Sequence, residues 1–500
     1  MIPFFKYFTI SSFIALFAII FQAYFESGQL QEVTEVLSSL MKLENVNRKS
    51  IPKVIIGYGS CSDLTVRAVD FLNYSENFKE SFSQRDQNDD EINTFDDFMK
   101  SFLYYFSKGA AAERYTPNKE MFLNLVNIAK KHESHRWELG GNAAVMGTRF
   151  LIEKTEVLLA ATMSDKQKTH LINGIDLVDF KPTKDFVDDI HLILEYKTGE
   201  RFGEHVAPRA NRYIIHSDAN NPLIISLELL KPNALKGDLF VVSGLQMMDN
   251  YPFSSPTLRS ERLEAVKNQI ISLDKKTLTH FEMASFVEIE LLNDLTKYIL
   301  PYSDSIGLNE QEIDNLLHVL ESGKISLVAN SNPRVATTLD QMRKVFKILN
   351  RNYFANRDTD KNVRMLSRIH IHTLAFQLIL NVKDSKWKNI KTAAAKSSLI
   401  AHRHVCQTSY VNPDNAILVL DDSFSTSIEE NAKTDDVRPK RIDVKKSGSA
   451  ISCWIEKLKV DEKNLVEVKI CVAPVLVCRE AKKTVGAGDN ISASGLAMQI

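Results

Sequence analysis

The sequence lacks the short motifs that identify several common classes of protein. Neither a Gly-x-x-x-x-Gly-Lys-Ser/Thr loop nor a Gly-x-Gly-x-x-Gly fingerprint occurs, so ordinary P-loop and dinucleotide-binding sites lose support. The five cysteines form no Cys-x-x-Cys pair, which argues against a thiolate metal site. The formal net charge is only -1, so nothing in the composition indicates a nucleic-acid partner.

An apolar segment stands at the N-terminus. Lys6 is followed by residues 7–25, which are nearly all apolar, and Glu26 ends the run. A basic residue before such a segment predicts entry into the secretory pathway, to the endoplasmic reticulum lumen or the exterior. We therefore expect residues 1–25 to be a signal peptide or a signal anchor attached to the membrane, and we favour the cleaved signal peptide.

Entry into an oxidising compartment would allow covalent modification of the chain. Asn73-Tyr74-Ser75 matches the acceptor pattern for N-glycosylation. One disulfide bond is possible in such a compartment, although the spacing of the cysteines does not choose its partners. The candidates are Cys61, Cys406, Cys453, Cys471 and Cys478.

The body of the chain, residues 51–500, follows a stretch predicted to be a helical linker, residues 26–50. Strand-like apolar runs then alternate with amphipathic helical stretches. This alternation predicts an α/β fold with a mostly parallel, doubly wound sheet, whose ligands bind beyond the carboxyl ends of the strands. The main predicted strands are 53–57, 157–161, 191–196, 213–216, 239–243, 277–281, 369–380 and 466–478, and the main predicted helices are 98–106, 120–131, 223–230, 258–271, 286–300 and 341–350.

The last strand-to-helix turn, residues 484–490, is the strongest candidate for a site. Gly486 and Gly488 lie between a buried strand and the final helix. Glycines there let backbone N–H groups and the positive end of the helix dipole approach an anion closely. Asp489 in the same turn suits the removal of a proton from a hydroxyl that attacks phosphorus. The structural alternative is a tight turn with Asp489 as an N-cap.

Two further motifs place carboxylates where they could hold magnesium. His280 and Glu282 alternate along a predicted strand and therefore share one face, which is either the ligand crevice or an exposed edge. Asn309 and Glu312 have the spacing of a helix capping box, and taken alone this motif favours the cap. Carboxylates near a helix N-terminus also suit a hydrated magnesium ion beside a diphosphate.

A third group of residues has the chemistry of a sugar site. Asp63 and Glu113 could accept hydrogen bonds from sugar hydroxyls. The turn formed by Gly140, Gly141 and Asn142 would let backbone groups approach the ring. Each of these residues could equally belong to a turn or carry a solvated charge, so none identifies a sugar by itself.

Together, these segments resemble one family. Residues 280–285, Asn309 with Glu312, residues 368–374 and residues 485–489 occur in the order and context of the ADP-dependent sugar kinases, a branch of the ribokinase-like fold. The match runs from about residue 51 to the C-terminus, and the secretory N-terminus is similar to that of animal members. The resemblance implies a large α/β domain with a smaller α/β lid, built from segments within about residues 64–135 and 180–215.

The resemblance also implies an activity. The β-phosphoryl group of ADP would pass to the 6-hydroxyl of glucose with magnesium as cofactor, leaving AMP, and we expect the chain to act as a monomer. Asp489 would be the proton acceptor. The implied magnesium site is Glu282, Glu312 and Asp489; the nucleotide site is Asn309, His370, His372, Thr373, Val485, Gly486, Ala487 and Gly488; the sugar site is Asp63, Glu113, Gly141 and Asn142.

Two alternatives stay open. An ADP-dependent kinase of fructose 6-phosphate is disfavoured because Glu113 would repel a second phosphate on the acceptor. A catalytically inactive binding protein of the same fold also remains, because the first loop reads Gly59-Ser60-Cys61-Ser62 where the family usually carries an asparagine before Asp63. Residue chemistry does not distinguish ADP from ATP, so the choice of donor rests on the resemblance.

Overall fold

The computed structural model describes residues 28–46, 48–72, 91–325, 333–420, 423–428, 439–444 and 448–500. The predicted targeting segment, residues 1–25, and the glycosylation acceptor at Asn73 lie outside these ranges, as does most of the charged stretch 427–449. No helix within the described ranges has both the length and the apolar character needed to cross a bilayer.

A ten-stranded sheet forms the large domain, in the order β6-β5-β1-β11-β12-β13-β14-β15-β20-β19. The strands from β6 to β14 run parallel, and β15, β20 and β19 are antiparallel to their neighbours. The central strands are buried on both faces, which explains their continuous apolar runs. Their bounds are β1 Lys53–Gly57, β5 Glu156–Ala160, β6 Ile175–Leu177, β11 Leu239–Val242, β12 Leu278–Glu282, β13 Ser305–Leu308, β14 Arg368–His372, β15 Phe376–Val382, β19 Ser452–Lys459 and β20 Leu465–Pro474.

A second, five-stranded sheet has the order β3-β10-β7-β2-β4. Phe98, Phe102 and Tyr213 pack in its own apolar core beneath two helices, so this sheet is a separate small unit. Whether the unit closes as a lid stays a prediction. Its strands are β2 Cys61–Arg67, β3 Ala112–Tyr115, β4 Arg136–Gly140, β7 Ile190–Tyr196 and β10 Asn211–His216; the remaining short strands are β8 Arg201–Phe202, β9 His205–Val206, β16 Ala416–Leu418, β17 Ser423–Ser425, β18 Arg441–Asp443 and β21 Leu476–Cys478.

Helices cover both faces of the large sheet, as the alternating pattern predicted, and the α/β class is confirmed. They are α1 (28–43), α2 Ala68–Phe71, α3 Phe95–Lys108, α4 Lys119–Lys131, α5 Asn142–Ile152, α6 Asp165–Lys168, α7 Leu258–Ile271, α8 Ile289–Tyr298, α9 Glu310–Ser322, α10 Val335–Asn356, α11 Ile390–Cys406 and α12 Ala487–Ala497.

Some predicted elements were wrong. Residues 369–380 form two antiparallel strands rather than one, because Thr373 makes a tight turn in which its hydroxyl accepts the backbone N–H of Phe376 at 3.0 Å. A helix was predicted over residues 223–230, but Asn221–Leu223 and Ile225–Leu227 form two short 3-10 turns, since Ile224 between them adopts φ 49°. Helix α11 was missed, because its small and polar residues carry a weak apolar stripe.

The stretch predicted to be a linker packs against the large domain. Leu40 of α1 is fully buried, and Val33 and Leu37 are largely buried beside it. Glu44 lies 3.1 Å from the Lys396 ammonium on α11. Apolar burial and this ion pair therefore make residues 28–44 part of the folded domain.

Two disulfide bonds link the described cysteines, where the sequence suggested one. Cys453 and Cys471 are cross-strand partners on β19 and β20, and Cys406 at the end of α11 joins Cys478 on β21. Cys61 is free and buried. The register of β19 on β20 and the packing of α11 bring these cysteines close together, whereas their spacing along the chain does not identify the pairs.

Candidate active site

The turn before α12 has the conformation that its glycines suggested. Gly486 is the N-cap with φ 68°, a conformation that residues with a side chain rarely adopt. Asn490 holds the turn, because its amide donates to the Gly486 carbonyl at 2.8 Å and accepts from Arg149 Nε at 2.9 Å. Asp489 lies inside the first helical turn, so the alternative in which it is merely the N-cap is wrong.

Two cavities meet at Asp489. The larger measures about 710 Å³ and the smaller about 380 Å³. Asn142 Nδ2 donates a hydrogen bond to Asp489 Oδ1 at 2.9 Å, which fixes the carboxylate between the two spaces. The residues that line both cavities are Glu113, Asn142, Arg212, Ile214, Gly486 and Asp489.

Glu282 ends β12 in the wall of the larger cavity. His280 Nε2 lies 2.8 Å from Glu282 Oε2, which also accepts from the Ser492 hydroxyl. His372 Nε2 lies 3.4 Å from Glu282 Oε1. The neighbouring position is Gly307, where a Cβ would stand 2.3 Å from this carboxylate. Glycine is therefore required on β13 to leave room for Glu282.

Glu312 enters the same cavity from the N-terminus of α9. Its carboxylate accepts the Asn309 backbone N–H at 2.8 Å, and Asn309 Oδ1 accepts the Glu312 N–H at 2.9 Å. This reciprocal pair is the predicted capping box. Both side chains also line the larger cavity, so the structural and functional readings of this motif are compatible.

The smaller cavity contains the residues predicted for a sugar. Asp63 on β2 and Gly141 at the start of α5 line it with Asn142 and Glu113. A Cβ at Gly140 would stand 1.9 Å from Asp63 Oδ1, so only glycine fits beside this carboxylate. His191 Nδ1 lies 3.5 Å from Glu113 Oε1, and its Nε2 lies 3.1 Å from Asp218.

The charges of the smaller cavity are shifted by burial and by one another. Burial raises the pKa of Asp63 to about 6, although the positive charge of His191 opposes the rise. Burial lowers the pKa of His191, but Asp218 outweighs it and raises that pKa to about 10. The imidazole is thus a cation at neutral pH, and since its Nε2 is directed at Asp218, its Nδ1 is the nitrogen that can donate a hydrogen bond to a hydroxyl-bearing ligand.

Negative charge accumulates where the larger cavity meets Asp489. Desolvation in the cavity wall and the charge of Glu282 raise the pKa of Asp489 to about 7. Burial likewise raises the pKa of Glu312 to about 7. Burial would also raise the pKa of Glu282, but hydrogen bonds from His280 and His372 hold it well below its usual range. A cation placed among these carboxylates would relieve their repulsion.

Magnesium fits this set of donors. Its preferred ligands are carboxylate and water oxygens. Glu282, Glu312 and Asp489 do not form a compact three-ligand cluster in the part of the chain described by the structure. Magnesium commonly keeps part of its water shell, so these carboxylates could hold it without all of them touching the ion directly.

The predicted nucleotide residues separate into groups. His372, Thr373, Ala487 and Gly488 line the larger cavity with Asn309 and Gly486. Val485 lines the smaller cavity instead. His370 lines neither cavity: it is fully buried, with Nε2 3.1 Å from Gln377 Oε1, and it packs against α12.

Sequence reasoning missed several polar residues at the junction. Arg212 on β10 lines both cavities, and its charge lowers the pKa of Asp489 against the larger effect of burial. Gln246 donates to Glu113 at 3.3 Å and also contacts Asn142. An arginine at the start of a largely apolar strand was a signal for Arg212, whereas nothing in the sequence singled out Gln246.

The altered first loop is held by a residue from elsewhere in the chain. Asn221 accepts the Ser60 backbone N–H at 3.2 Å and donates to the Ser60 carbonyl at 3.1 Å. It also lines the smaller cavity. An asparagine side chain is therefore present beside this loop, although it comes from a segment after β10.

Comparisons with known proteins identify the family of the chain. Residues 52–498 match the family described as the ADP-specific phosphofructokinase/glucokinase conserved region. The chain is 30% identical over 452 residues to an ADP-dependent glucokinase of Bos taurus, covering 89% of this chain and 84% of that protein. It is 28% identical over 457 residues to a probable ADP-dependent glucokinase of Caenorhabditis elegans, with the same coverage of 89% and 84%.

The fold is also similar to a solved structure. An ADP-dependent kinase in complex with fructose 6-phosphate and ADPβS has a TM-score of 0.62, with 17% identity over 94% of this chain and 97% of that one. At this identity the likeness establishes the fold. Because the family model matches nearly the whole chain, the protein belongs to the family of ADP-specific phosphofructokinases and glucokinases, the ADP-dependent sugar kinases.

Proposed function

We propose that this chain transfers the β-phosphoryl group of ADP to the 6-hydroxyl of glucose, giving glucose 6-phosphate for glycolysis and AMP. The observation that carries the proposal is the position of Asp489, at the junction of a larger and a smaller cavity. A nucleotide in the larger cavity and a sugar in the smaller one would meet at this carboxylate. The two relatives, one named an ADP-dependent glucokinase and the other a probable ADP-dependent glucokinase, support the choice of donor and acceptor.

Asp489 is suited to act as the general base. A base of pKa near 7 can hold a proton and release it at neutral pH, and a neighbouring cation would favour its ionised form. The N–H groups of Ala487 and Asn490 bond within the turn, so those of Gly486, Gly488 and Asp489, at the positive end of α12, would be the ones to bind the transferred phosphoryl group. Arg212, at the wall shared by both cavities, adds a positive charge close to the developing negative charge.

Glu282, Glu312 and Asp489 are the residues proposed to hold magnesium. When bound, the ion supplies neutralisation of the donor phosphate charges. His280 and His372 hold Glu282 ionised and oriented, which prepares it for a cation. Asn309 keeps Glu312 pointing into the cavity through the capping box.

The acceptor is proposed from the smaller cavity. Asp63, Glu113 and Asn142 offer hydrogen-bond acceptors, and His191 offers a charged donor, so neighbouring hydroxyls of one sugar can each find a partner. Glu113 at this wall disfavours a phosphorylated acceptor such as fructose 6-phosphate, because the two negative charges would repel. This argument favours glucose within a family that contains both activities.

The test is phosphorylation of glucose by the purified chain from Ser27 onward, with magnesium and either ADP or ATP. We expect AMP release and glucose 6-phosphate with ADP, and no product with ATP or with fructose 6-phosphate as acceptor. Activity with ATP alone would overturn the donor, and a preference for fructose 6-phosphate would overturn the acceptor. Ligand binding without turnover would favour the inactive binding protein.

We also propose that the chain enters the secretory pathway through residues 1–25. The disulfides Cys406–Cys478 and Cys453–Cys471 support this proposal, because such bonds persist in oxidising compartments. Expression of the full chain in animal cells should give a product that loses mass on treatment with an N-glycosidase. If an Asn73→Gln variant migrates identically before and after this treatment, the modification is assigned to Asn73. If the wild-type chain is unmodified and lies in a protease-accessible cytosolic fraction, the proposal is refuted.

A further inference from the structure

One carboxylate of the small sheet contacts the turn that precedes α12. Glu195 Oε1 accepts the backbone N–H of Thr484 at 2.8 Å and its hydroxyl at 3.0 Å, and the N–H of Val485 lies 3.4 Å away. Glu195 belongs to β7 of the small unit, whereas residues 484 and 485 lead into Gly486 of the large domain. This contact therefore connects the two units directly beside the proposed phosphate site.

The second oxygen of the same carboxylate is held from its own sheet. Arg136 on β4 lies 3.0 Å from Glu195 Oε2. Arg212 is the cross-strand partner of Glu195 on β10, so the two side chains share one face of the small sheet. Arg212 lines both cavities. Glu195 thus neighbours the arginine that lines both cavities and also bonds to the turn that leads to Asp489.

Other contacts connect the same two segments. Lys483 Nζ lies 2.7 Å from Glu138 Oε2, and Glu138 belongs to β4 of the small sheet. Val485 packs against Ile193 and Ile214 of the small sheet in a separate apolar cluster. Residues 483–485 therefore meet the small unit through an ion pair, a hydrogen-bonded carboxylate and an apolar contact, all of which would break if the two units separated.

We propose that Glu195 is a positioning residue that couples closure of the small unit to the conformation of the phosphate-binding turn. In the arrangement that the structure describes, Glu195 holds the N–H groups of Thr484 and Val485; a sugar that favours this arrangement would thereby orient the adjoining glycine turn toward the nucleotide. The inference rests on the proposed function, because it assigns a sugar to the small unit and a nucleotide to the turn. It predicts that each ligand strengthens the binding of the other through this contact.

The test measures that coupling in the Glu195→Ala variant. Isothermal titration calorimetry gives the Kd of ADPβS in the absence and presence of saturating glucose, and the ratio of the two values is the coupling. We expect the ratio to fall at least about fivefold in Glu195→Ala, a change within the usual range of coupling between sites. The Kd of glucose alone should change less than about twofold. Glu204→Ala, an exposed carboxylate on the same unit, is the matched control and should keep the wild-type ratio.

Two conservative variants separate positioning from a general loss of structure. Glu195→Gln keeps an oxygen that can accept the Thr484 N–H, and it should retain a coupling between those of wild type and Glu195→Ala. Thr484→Val removes only the hydroxyl donor and should weaken the coupling less than Glu195→Ala. A wild-type ratio in Glu195→Ala would overturn the proposal, as would a glucose affinity that falls as much as the coupling does.

Small-angle X-ray scattering of the ligand-free chain tests the contact without reference to the reaction. The double variant Glu195→Ala, Lys483→Met should have a larger radius of gyration than wild type, because both polar connections between the units are removed. An unchanged radius would count against the contact even if the enzyme is active. If the double variant has a larger radius but the wild-type chain does not bind glucose, the contact is supported and the proposed function is refuted.

Discussion

Replacement of Asp489 by asparagine should lower activity and raise stability in the same variant. The change preserves the shape of the side chain and leaves an oxygen that can accept from Asn142, whose amide donates at 2.9 Å in the wild type. It removes the group that would take the proton of the attacking hydroxyl. General bases typically contribute about 10² to 10⁴ in rate, so we expect turnover to fall by about that factor.

The stability effect follows from the shifted pKa of Asp489. The pKa of this carboxyl is raised from its usual 3.8 to about 7 in the folded chain. Between these two pH values the unfolded chain loses the proton while the folded chain keeps it, so folding becomes less favourable as pH rises through this interval. A difference of about 3 units corresponds to about 4 kcal/mol. Because Asp489 is only half-buried, we expect a smaller gain, of about 1 to 3 kcal/mol at pH 8 in the absence of magnesium.

Urea unfolding at pH 8 and steady-state turnover with ADP and glucose measure the two effects. Asp384→Asn is the matched control, because Asp384 lies exposed in a turn with φ 60°, which asparagine tolerates well. That variant should leave both turnover and stability near wild type. Turnover of Asp489→Asn within tenfold of wild type would refute its role as general base, and a loss of stability would refute the electrostatic reasoning.

Three further predictions concern the scaffold. His404 donates to the Val485 carbonyl at 2.8 Å and has its pKa lowered from 6.5 to about 4 by burial, so its own contribution to the free energy of unfolding should fall by about 2 kcal/mol between pH 6.5 and 5, while that of Asp489 rises. Urea titrations should therefore show that the stability of wild type relative to His404→Gln falls by about that amount over this interval, and a constant difference would contradict the assignment. Leu40→Ala should lower the free energy of unfolding by about 2 to 5 kcal/mol, measured by urea titration, because Leu40 is fully buried. Leu30→Ala, at a position 40% exposed, should lower it little. Similar losses in both variants would show that α1 does not pack as described. Gly140→Ala should raise the Kd of glucose at least tenfold in calorimetry, because the new Cβ would displace Asp63, and unchanged affinity would remove Asp63 from the sugar site.

The local sequence pattern was sufficient to predict those structural features that depend on a single segment of the chain. The glycines at 486 and 488 predicted a strand-to-helix turn, and the structure has Gly486 as the N-cap of α12. The spacing of Asn309 and Glu312 predicted a capping box, and both of its hydrogen bonds are present. These features depend on residues within a few positions of one another, so backbone conformation and short-range hydrogen bonds decide them.

Features that join distant segments could not be predicted in this way. The 369–380 run has the apolar character of one strand, but the Thr373 turn divides it into β14 and β15. Gln246 reaches Glu113 across the cleft from a loop after β11, and Asn221 supports the Ser60 loop from 161 positions away. Sequence separation on this scale gives no local periodicity from which to infer contact.

The sequence by itself determined the α/β class, the glycine turn before α12 and the family, because these follow from periodicity, glycine positions and ordered motifs within single segments. Only the tertiary structure decided that Asp489 stands between two cavities, that cysteines pair as 406 with 478 and 453 with 471, and that Glu195 of the small sheet holds Thr484. The physical reason is that pKa shifts, cavities and contacts between the units depend on distances between side chains that lie far apart along the chain.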